Sequence, residues 1–278
     1  MQLAVSSDML VSGRHFFTDV DPAALGHKAL AVNLSDLAAC GAQPLAFTLS
    51  LSLPQIDPDW LRAFSQGLFA LADAHQCELI GGDTTAGPLC ISITILGEVA
   101  PGQALLRSGA QVGDDIYVSG TLGDARVALE ALQGHRSLSA HQLALLRPRL
   151  ERPTPRLALG QALCGIASAA IDLSDGLWGD LQHILRRSKV GATLHVPLLQ
   201  PVLQQHGQAY TVALNGGDDY ELAFTAGPQH RDIISTLALR TGTPVTRIGT
   251  IEAQPGLRLR DAAGQDVPPT FRSFDHFQ

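Results

Sequence analysis

Lysine is almost missing from this chain: Lys28 and Lys189 are the only two in 278 residues. No G-x-x-x-x-G-K-[ST] run occurs, which excludes a Walker-type phosphate loop. Positive charge is in deficit as well. The formal net charge is -7, and no basic tail or block is present, so a nucleic-acid surface is excluded. The four cysteines, Cys40, Cys77, Cys90 and Cys164, lie far apart with no C-x-x-C pair. That spacing argues against a disulfide frame or a zinc site and for reduced thiols in a cytoplasmic protein. No apolar run approaches membrane-spanning length, and the first residues do not read as a signal peptide.

Aspartate is what the chain has instead. Of 26 acidic residues, 20 are Asp and 6 are Glu. Short carboxylates suit hard cations such as Mg2+, and here they fall in motifs. The stretch Leu34-Ser35-Asp36-Leu37-Ala38-Ala39-Cys40-Gly41 is central. It closes a predicted helix that Asp21 caps, that Pro22 opens and that Gly41 stops. The helix is mostly Ala, Leu and Val, so it should be buried, and Asp36 sits within that apolar run. An unpaired buried carboxylate costs several kcal/mol, so Asp36 needs a cation. Lys28 is the one basic side chain nearby in sequence, and a metal ion is the alternative we favour.

Residues 2–11 read as a strand in which Ser6 and Asp8 share a face. A loop with Arg14, His15 and Asp19 follows, then the central helix and a strand over 44–54. Asp57-Pro58 starts a helix that runs to about His75. A short strand over 78–80 ends in Gly81-Gly82-Asp83-Thr84-Thr85, and another strand covers 90–99. Strands and helices alternate, which implies an α/β layer with helices on one face. Glycines and a proline over 100–113 suggest a linker, giving two α/β domains at 1–106 and 107–278.

In the second half the spacing predicts a strand over 115–118 and a turn over 119–124 into a helix to Leu132. Further helices are predicted toward Leu146, where Pro148 should break the chain, and over 157–170. Ser174-Asp175-Gly176 leads into a helix ending at Ser188, and Gly216-Gly217-Asp218-Asp219 precedes a strand over 220–224. A helix over 231–239, a strand over 245–251 and a short hairpin complete the pattern.

Each acidic residue has an ordinary reading beside the chemical one. Asp8 and Asp83, taken singly, are turn or cap residues; together with Asp36 they form a three-carboxylate metal site. Ser174 and Asp175 are explained by helix capping and the helix dipole, but Asp172 is not, and a metal contact there is the alternative. The 119–124 turn reads as a plain connection. Arg107 is a phosphate contact or a solvated side chain, and His15 a substrate contact or a surface residue. Glu221 is the acid that turn chemistry explains least.

The motifs together are more specific than any one of them. Ser7-Asp8-Met9-Leu10-Val11 with His15-Phe16, and the run from Gly26-His27-Lys28 to Asn33-Leu34-Ser35-Asp36-Leu37-Ala38-Ala39, resemble the thiamine-monophosphate kinase family. Gly81-Gly82-Asp83-Thr84, Asp172-Leu173-Ser174-Asp175-Gly176, Gly216-Gly217-Asp218-Asp219-Tyr220-Glu221-Leu222 and Phe274-Asp275-His276-Phe277 extend the resemblance over the whole chain. It implies the two-domain α/β fold of the aminoimidazole ribonucleotide synthetase superfamily, with N-terminal domains pairing into a dimer β-barrel. It also implies ATP-dependent phosphorylation of thiamine monophosphate with Mg2+, by a homodimer. On that resemblance Ser6, Ser7, Asp8, Asp36, Asp83, Asp172 and Asp175 form the metal shell, with Asp8, Asp36 and Asp83 catalytic. Gly82, Asp83, Arg107 and Ser174 hold the nucleotide, and His15, Glu221 and Phe271 contact thiamine monophosphate. Phe271 stands where the family often has Trp. The family also carries a lead-in helix and strand ending in Gly-Asp-Asp, which implies one more ligand and more of the barrel ahead of the strand at which this chain opens.

In-line transfer to a phosphate that is already ionised needs no strong base. It needs two anions neutralised and aligned, which explains motifs rich in Asp and poor in Lys. Two other readings stay open: a different ATP-using synthetase of the superfamily, and a shortened copy that binds ligand without turnover.

Overall fold

Helix α1 (Pro22–Ala39) is the element around which the rest packs. The Asp21 carboxylate accepts hydrogen bonds from the Ala23 and Ala24 N–H groups, and Pro22 fills the first turn, where a missing N–H is harmless. Gly41 follows the helix at φ +68°, the left-handed stop the sequence predicts. Side chains on every side of α1 are buried, so the helix passes through the molecule rather than lying on it. Glycine makes the crossing with α2 (Pro58–Ala74) possible: a Cβ on Gly67 would stand 1.8 Å from the Ala23 carbonyl oxygen.

The structure is a computed structural model and describes residues 1–203 and 209–268. The first sheet contains β1 (Gln2–Val11), β2 (Gln43–Leu53), β3 (Glu78–Ala86) and β4 (Cys90–Val99) in the order β1-β4-β2-β3. β4 runs antiparallel to β1 and β2, and β3 runs parallel to β2. α1 packs on this sheet and α2 packs on α1, as the alternation of strand and helix predicts. The opposite face exposes Leu3, Val5, Met9 and Ile80.

The second sheet has the order β10-β7-β9-β5-β8-β6. Its strands are β5 (Asp115–Ser119), β6 (Ala169–Asp172), β7 (Gly191–His195), β8 (Leu222–Ala226), β9 (Val245–Glu252) and β10 (Gly256–Arg260). Its helices are α3 (Asp124–Leu132), α4 (Ala140–Glu151), α5 (Leu157–Ala162), α6 (Leu177–Ser188), α7 (Val196–Leu199), α8 (Tyr210–Asn215) and α9 (Arg231–Thr241). One apolar core joins the halves, running from Phe47, Ile93 and Leu34 to Tyr117, Leu222 and Phe224. A second core fills the far side of the second sheet around Val118, Ile171, Leu181 and Ile184.

Three elements differ from the sequence reading. β3 continues through the Gly-Gly-Asp-Thr-Thr run, because pairing with β2 from Thr48↔Gly81 to Leu53↔Ala86 supplies backbone bonds that side-chain alternation does not announce. α4 runs through Pro148: the Ser139–Gln142 capping box starts it, and buried Leu146 and Leu150 hold it against α3. α5 ends at Ala162, and Gly165 at φ +76° turns the chain into β6.

Candidate active site

Three polar residues within one turn of α1 dock two pieces of chain, β1 and the end of β6. Asn33 accepts a hydrogen bond from the Asp8 backbone N–H of β1 through Oδ1 (3.2 Å). Ser35, fully buried, donates to Asp172 at the end of β6 (2.9 Å). Asp36 accepts from the Ser6 hydroxyl of β1. β1 alternates as its sequence predicts, so Ser6 and Asp8 both face α1. Asp172 leads into the Leu173–Gly176 turn, which two backbone bonds tie to the next loop: Asp218 N–H to Ser174 O (2.9 Å) and Tyr220 N–H to Leu173 O (2.8 Å).

The result is a cleft of about 340 Å³ between the two halves, with Asp8, Asp36, Asp172 and Asp175 on its walls. Burial pushes the Asp8 carboxyl up to about 6, and the negative charges of Asp36 and Asp175 add to the rise. Burial also raises Asp36, against the opposing hydrogen bond from Ser6 and the charge of Arg107. Asp172 is raised well above the ordinary carboxylate range by burial and then by Asp36. Asp180, at the start of α6, is pushed up to about 7 by burial, although it accepts the Asp175 and Gly176 N–H groups. Lys28 does not neutralise this cluster; its ammonium pairs with Asp218 instead (2.8 Å).

A set of carboxylates raised by burial and mutual repulsion is the donor set that a divalent cation relaxes. Among the described residues no three His, Cys, Asp or Glu side chains stand close enough to hold one ion alone. Mg2+ is an ion usually held by one or two carboxylates together with waters and substrate phosphates. Arg14, His15 and Arg126 also line the cleft, so donors for anionic groups face the acids.

The structure brings Ser6, Asp8, His15, Asp36, Asp172, Ser174 and Asp175 together. It does not bring all the expected residues there. Ser7 points to the open face of the first sheet, where its hydroxyl meets that of Thr94 (3.0 Å), because strand alternation sends neighbours of Ser6 and Asp8 the other way. Gly82 and Asp83 lie on the edge strand β3, three strand spacings or about 14 Å from β1. Asp83 pairs in register with exposed Ser50, so it stands on the same open face, and the convergence of Asp83 with Asp8 and Asp36 within one chain is not found. Gly82 takes φ +153° with its Cα packed on Leu49, a backbone approach that closes the strand pair. Arg107 is exposed in the segment between the sheets and reaches Asp36 through its charge.

Glu221 is the clearest correction. It is fully buried and accepts from Arg149 (2.7 Å), Arg156 (2.5 and 2.7 Å) and Ser119 (2.5 Å). Burial alone would raise its carboxyl, but Arg156 and Arg149 outweigh that and hold it below the usual range. Its oxygens are spent inside the protein rather than offered to a substrate. Phe271 lies outside the described residues.

Sequence reasoning missed Asp218, Tyr220 and Arg126 as wall residues. Asp218 (φ +65°) and Tyr220 (φ +50°) are left-handed without being glycine, and no sequence pattern announces that in a run already explained as a turn. The 119–124 turn proves a plain connection: the Gly123 N–H, which an anion would need, is bonded to buried Asp219 (2.9 and 3.1 Å).

Comparison with known proteins places this geometry. The family described as AIR synthase related protein, N-terminal domain, matches residues 1–99, and its C-terminal domain family matches residues 111–262. The thiamine-monophosphate kinase of Salmonella typhimurium is 49% identical over 283 residues, covering 99% of this chain and 86% of that protein. That of Haemophilus influenzae is 45% identical, covering 100% and 87%. A crystal structure of thiamine-monophosphate kinase from Stenotrophomonas maltophilia superposes with a TM-score of 0.88 at 48% identity, over 96% of this chain and 86% of that one. A structure described as AaThiL complexed with AMPPCP and TMP superposes at 0.86 with 31% identity, over 99% and 87%. The hydrogenase maturation protein HypE shares the fold at 16–20% identity. The cleft acids, the two-sheet architecture and these matches lead to one conclusion: the chain belongs to the thiamine-monophosphate kinase family, within the AIR synthase related proteins.

Proposed function

We propose that this chain transfers the γ-phosphoryl group of ATP to thiamine monophosphate, forming thiamine diphosphate, in the cleft between its domains at 1–106 and 107–278. The observation that carries the reading is the gathering of Asp8, Asp36, Asp172 and Asp175, from three separate stretches of sequence, opposite Arg14, His15 and Arg126. Mg2+ held there would neutralise and align the two phosphates, which is the main catalytic requirement of phosphoryl transfer. Ser6 and Ser35 fix the orientation of Asp36 and Asp172 through hydrogen bonds, so the carboxylates are set before substrate arrives. Arg14 and Arg126 supply fixed positive charge for the nucleotide's phosphates, and Arg107 lies close enough to act on the same cluster. His15 also lines a recess with Phe16, Phe17 and Leu150, whose apolar side chains suit the rings of the acceptor. The acceptor phosphate is ionised at neutral pH, so no side chain has to take a proton.

The working unit in this reading is a homodimer. Leu3, Val5, Met9 and Ile80 form an apolar outer face on the first sheet, and a second copy covering it would bury them. Asp83 lies on that face, with Gly82 beside it packed inward on Leu49, so in this reading Asp83 serves a nucleotide site in the partner copy rather than in its own. The four cysteines are free thiols and no described helix is long and apolar enough to cross a membrane; both agree with a cytoplasmic enzyme.

The direct test is ADP release by the purified chain with ATP, Mg2+ and thiamine monophosphate. Release that requires thiamine monophosphate and yields thiamine diphosphate supports the reading. Release only with other acceptors, or tight ligand binding with no product, refutes it.

A further inference from the structure

One of the chain's two lysines is buried where a lysine is costly. Lys28 is 3% exposed in the middle of α1, and its ammonium sits 2.8 Å from Asp218 Oδ1 and 3.3 Å from the His15 carbonyl oxygen. The three groups come from the central helix, from the loop after β1 and from a loop 190 residues further on. An ammonium removed from water costs several kcal/mol unless it is paired, and two of its three N–H bonds are spent on these partners. It is therefore poorly placed as a phosphate ligand. The Asp218 loop needs a tether: Asp218 and Tyr220 both hold a left-handed backbone, which costs on the order of 1 kcal/mol each and survives only when neighbours enforce it. On the inner side Gly123 holds Asp219, and Arg149 and Arg156 hold Glu221. On the outer side Lys28 holds Asp218. The His15 loop is fixed in the same way from two directions. Its imidazole Nδ1 accepts from the Val11 N–H (3.0 Å), and its carbonyl accepts from Lys28.

We propose that Lys28 is a positioning residue that locks the His15 loop of one domain to the Asp218 loop of the other, and so fixes the acceptor end of the cleft. This rests on the assignment of thiamine monophosphate as acceptor. The contacts separate the two substrates: the lock touches His15, whereas the carboxylates that would serve the nucleotide's metal are held by other groups, Asp36 by Ser6 and Asp172 by Ser35, with the Asp8 backbone N–H bonded to Asn33.

The experiment compares Lys28→Met, Lys28→Arg, Asp218→Asn and the Met/Asn double variant with the parent. Asn tolerates the left-handed backbone, so Asp218→Asn removes charge without adding strain. Lys28→Met and Asp218→Asn should each raise KM for thiamine monophosphate about tenfold while KM for ATP stays within about twofold. The double variant should be no worse than either single one, because both break the same contact. Lys28→Arg should recover most of the loss. Independently of turnover, amide hydrogen exchange in the ligand-free protein should speed up at residues 14–16 in Lys28→Met and Asp218→Asn. A rise in KM for ATP alone would make Lys28 a nucleotide ligand and overturn the proposal. Unchanged exchange at residues 14–16 would overturn it too, even if the parent chain showed no kinase activity and the acceptor assignment itself had failed.

Discussion

A carboxylate raised by its surroundings makes stability depend on pH. The folded chain holds a proton on Asp8 up to about pH 6 and on Asp180 up to about 7, whereas an unfolded chain releases both near 3.8, the ordinary aspartate value. Between those values the folded state binds more protons, so metal-free stability falls as pH rises from about 4 to about 7. Asp8 alone accounts for up to about 3 kcal/mol of that loss. Mg2+ should reverse the trend, because it favours the ionised acids. Melting curves in EDTA should give a Tm that declines over this window, with Mg2+ restoring Tm most at the high end. A flat profile with no response to Mg2+ would contradict the electrostatics of the cleft. Glu221 behaves in the opposite way. It is ionised and doubly paired, so Glu221→Gln leaves two arginines facing a neutral group in a buried place. The expected loss is about 3–5 kcal/mol, read as a lower urea midpoint. That role was not legible from sequence. Arg149 and Arg156 stand 72 and 65 residues before Glu221, and no local pattern links them to it.

At the level of elements, α1 was the most legible part of the chain. Asp21, Pro22 and Gly41 mark its ends in the sequence, and its apolar composition announces its burial. Its closeness to α2 depends on Gly26 and Gly67, which the sequence offers without saying why. Gly67→Ala puts a methyl group against the Ala23 carbonyl and should cost about 1–3 kcal/mol as the helices separate. The measurement is chemical denaturation, and a variant as stable as the parent would show that the crossing has slack. β3 was only half legible. Its Gly-Gly-Asp-Thr-Thr run lacks side-chain alternation, and what makes it a strand is the backbone partner β2, some thirty residues earlier. Pro148 misled for the related reason that packing of Leu146 and Leu150 overrides a local breaker.

For the whole molecule, the two-domain fold was readable because its motifs keep their order along the chain, and the family matches over residues 1–99 and 111–262 agree. What the motifs could not convey is which face each residue takes. Ser7 and Asp83 belong to the same motifs as Asp8 and Gly82, yet both stand on the open face of the first sheet. If that face is the homodimer contact, Val5→Glu should shift the protein toward monomer in sedimentation and reduce turnover with it. A sharper test mixes two inactive variants, Asp36→Asn and Asp83→Asn. Should Asp83 serve the partner's cleft, mixed dimers contain one intact site and part of the activity returns; no recovery would place Asp83 outside the site or within its own chain.

The central claim is that acids from distant stretches of the chain jointly bring two phosphates together through bound magnesium. Its most direct test is steady-state turnover of Asp36→Asn at saturating Mg2+, beside its melting temperature. Turnover should fall by at least about a hundredfold, while Tm without metal stays level or rises because a costly buried carboxylate is gone. Near-normal turnover in the folded variant would contradict it.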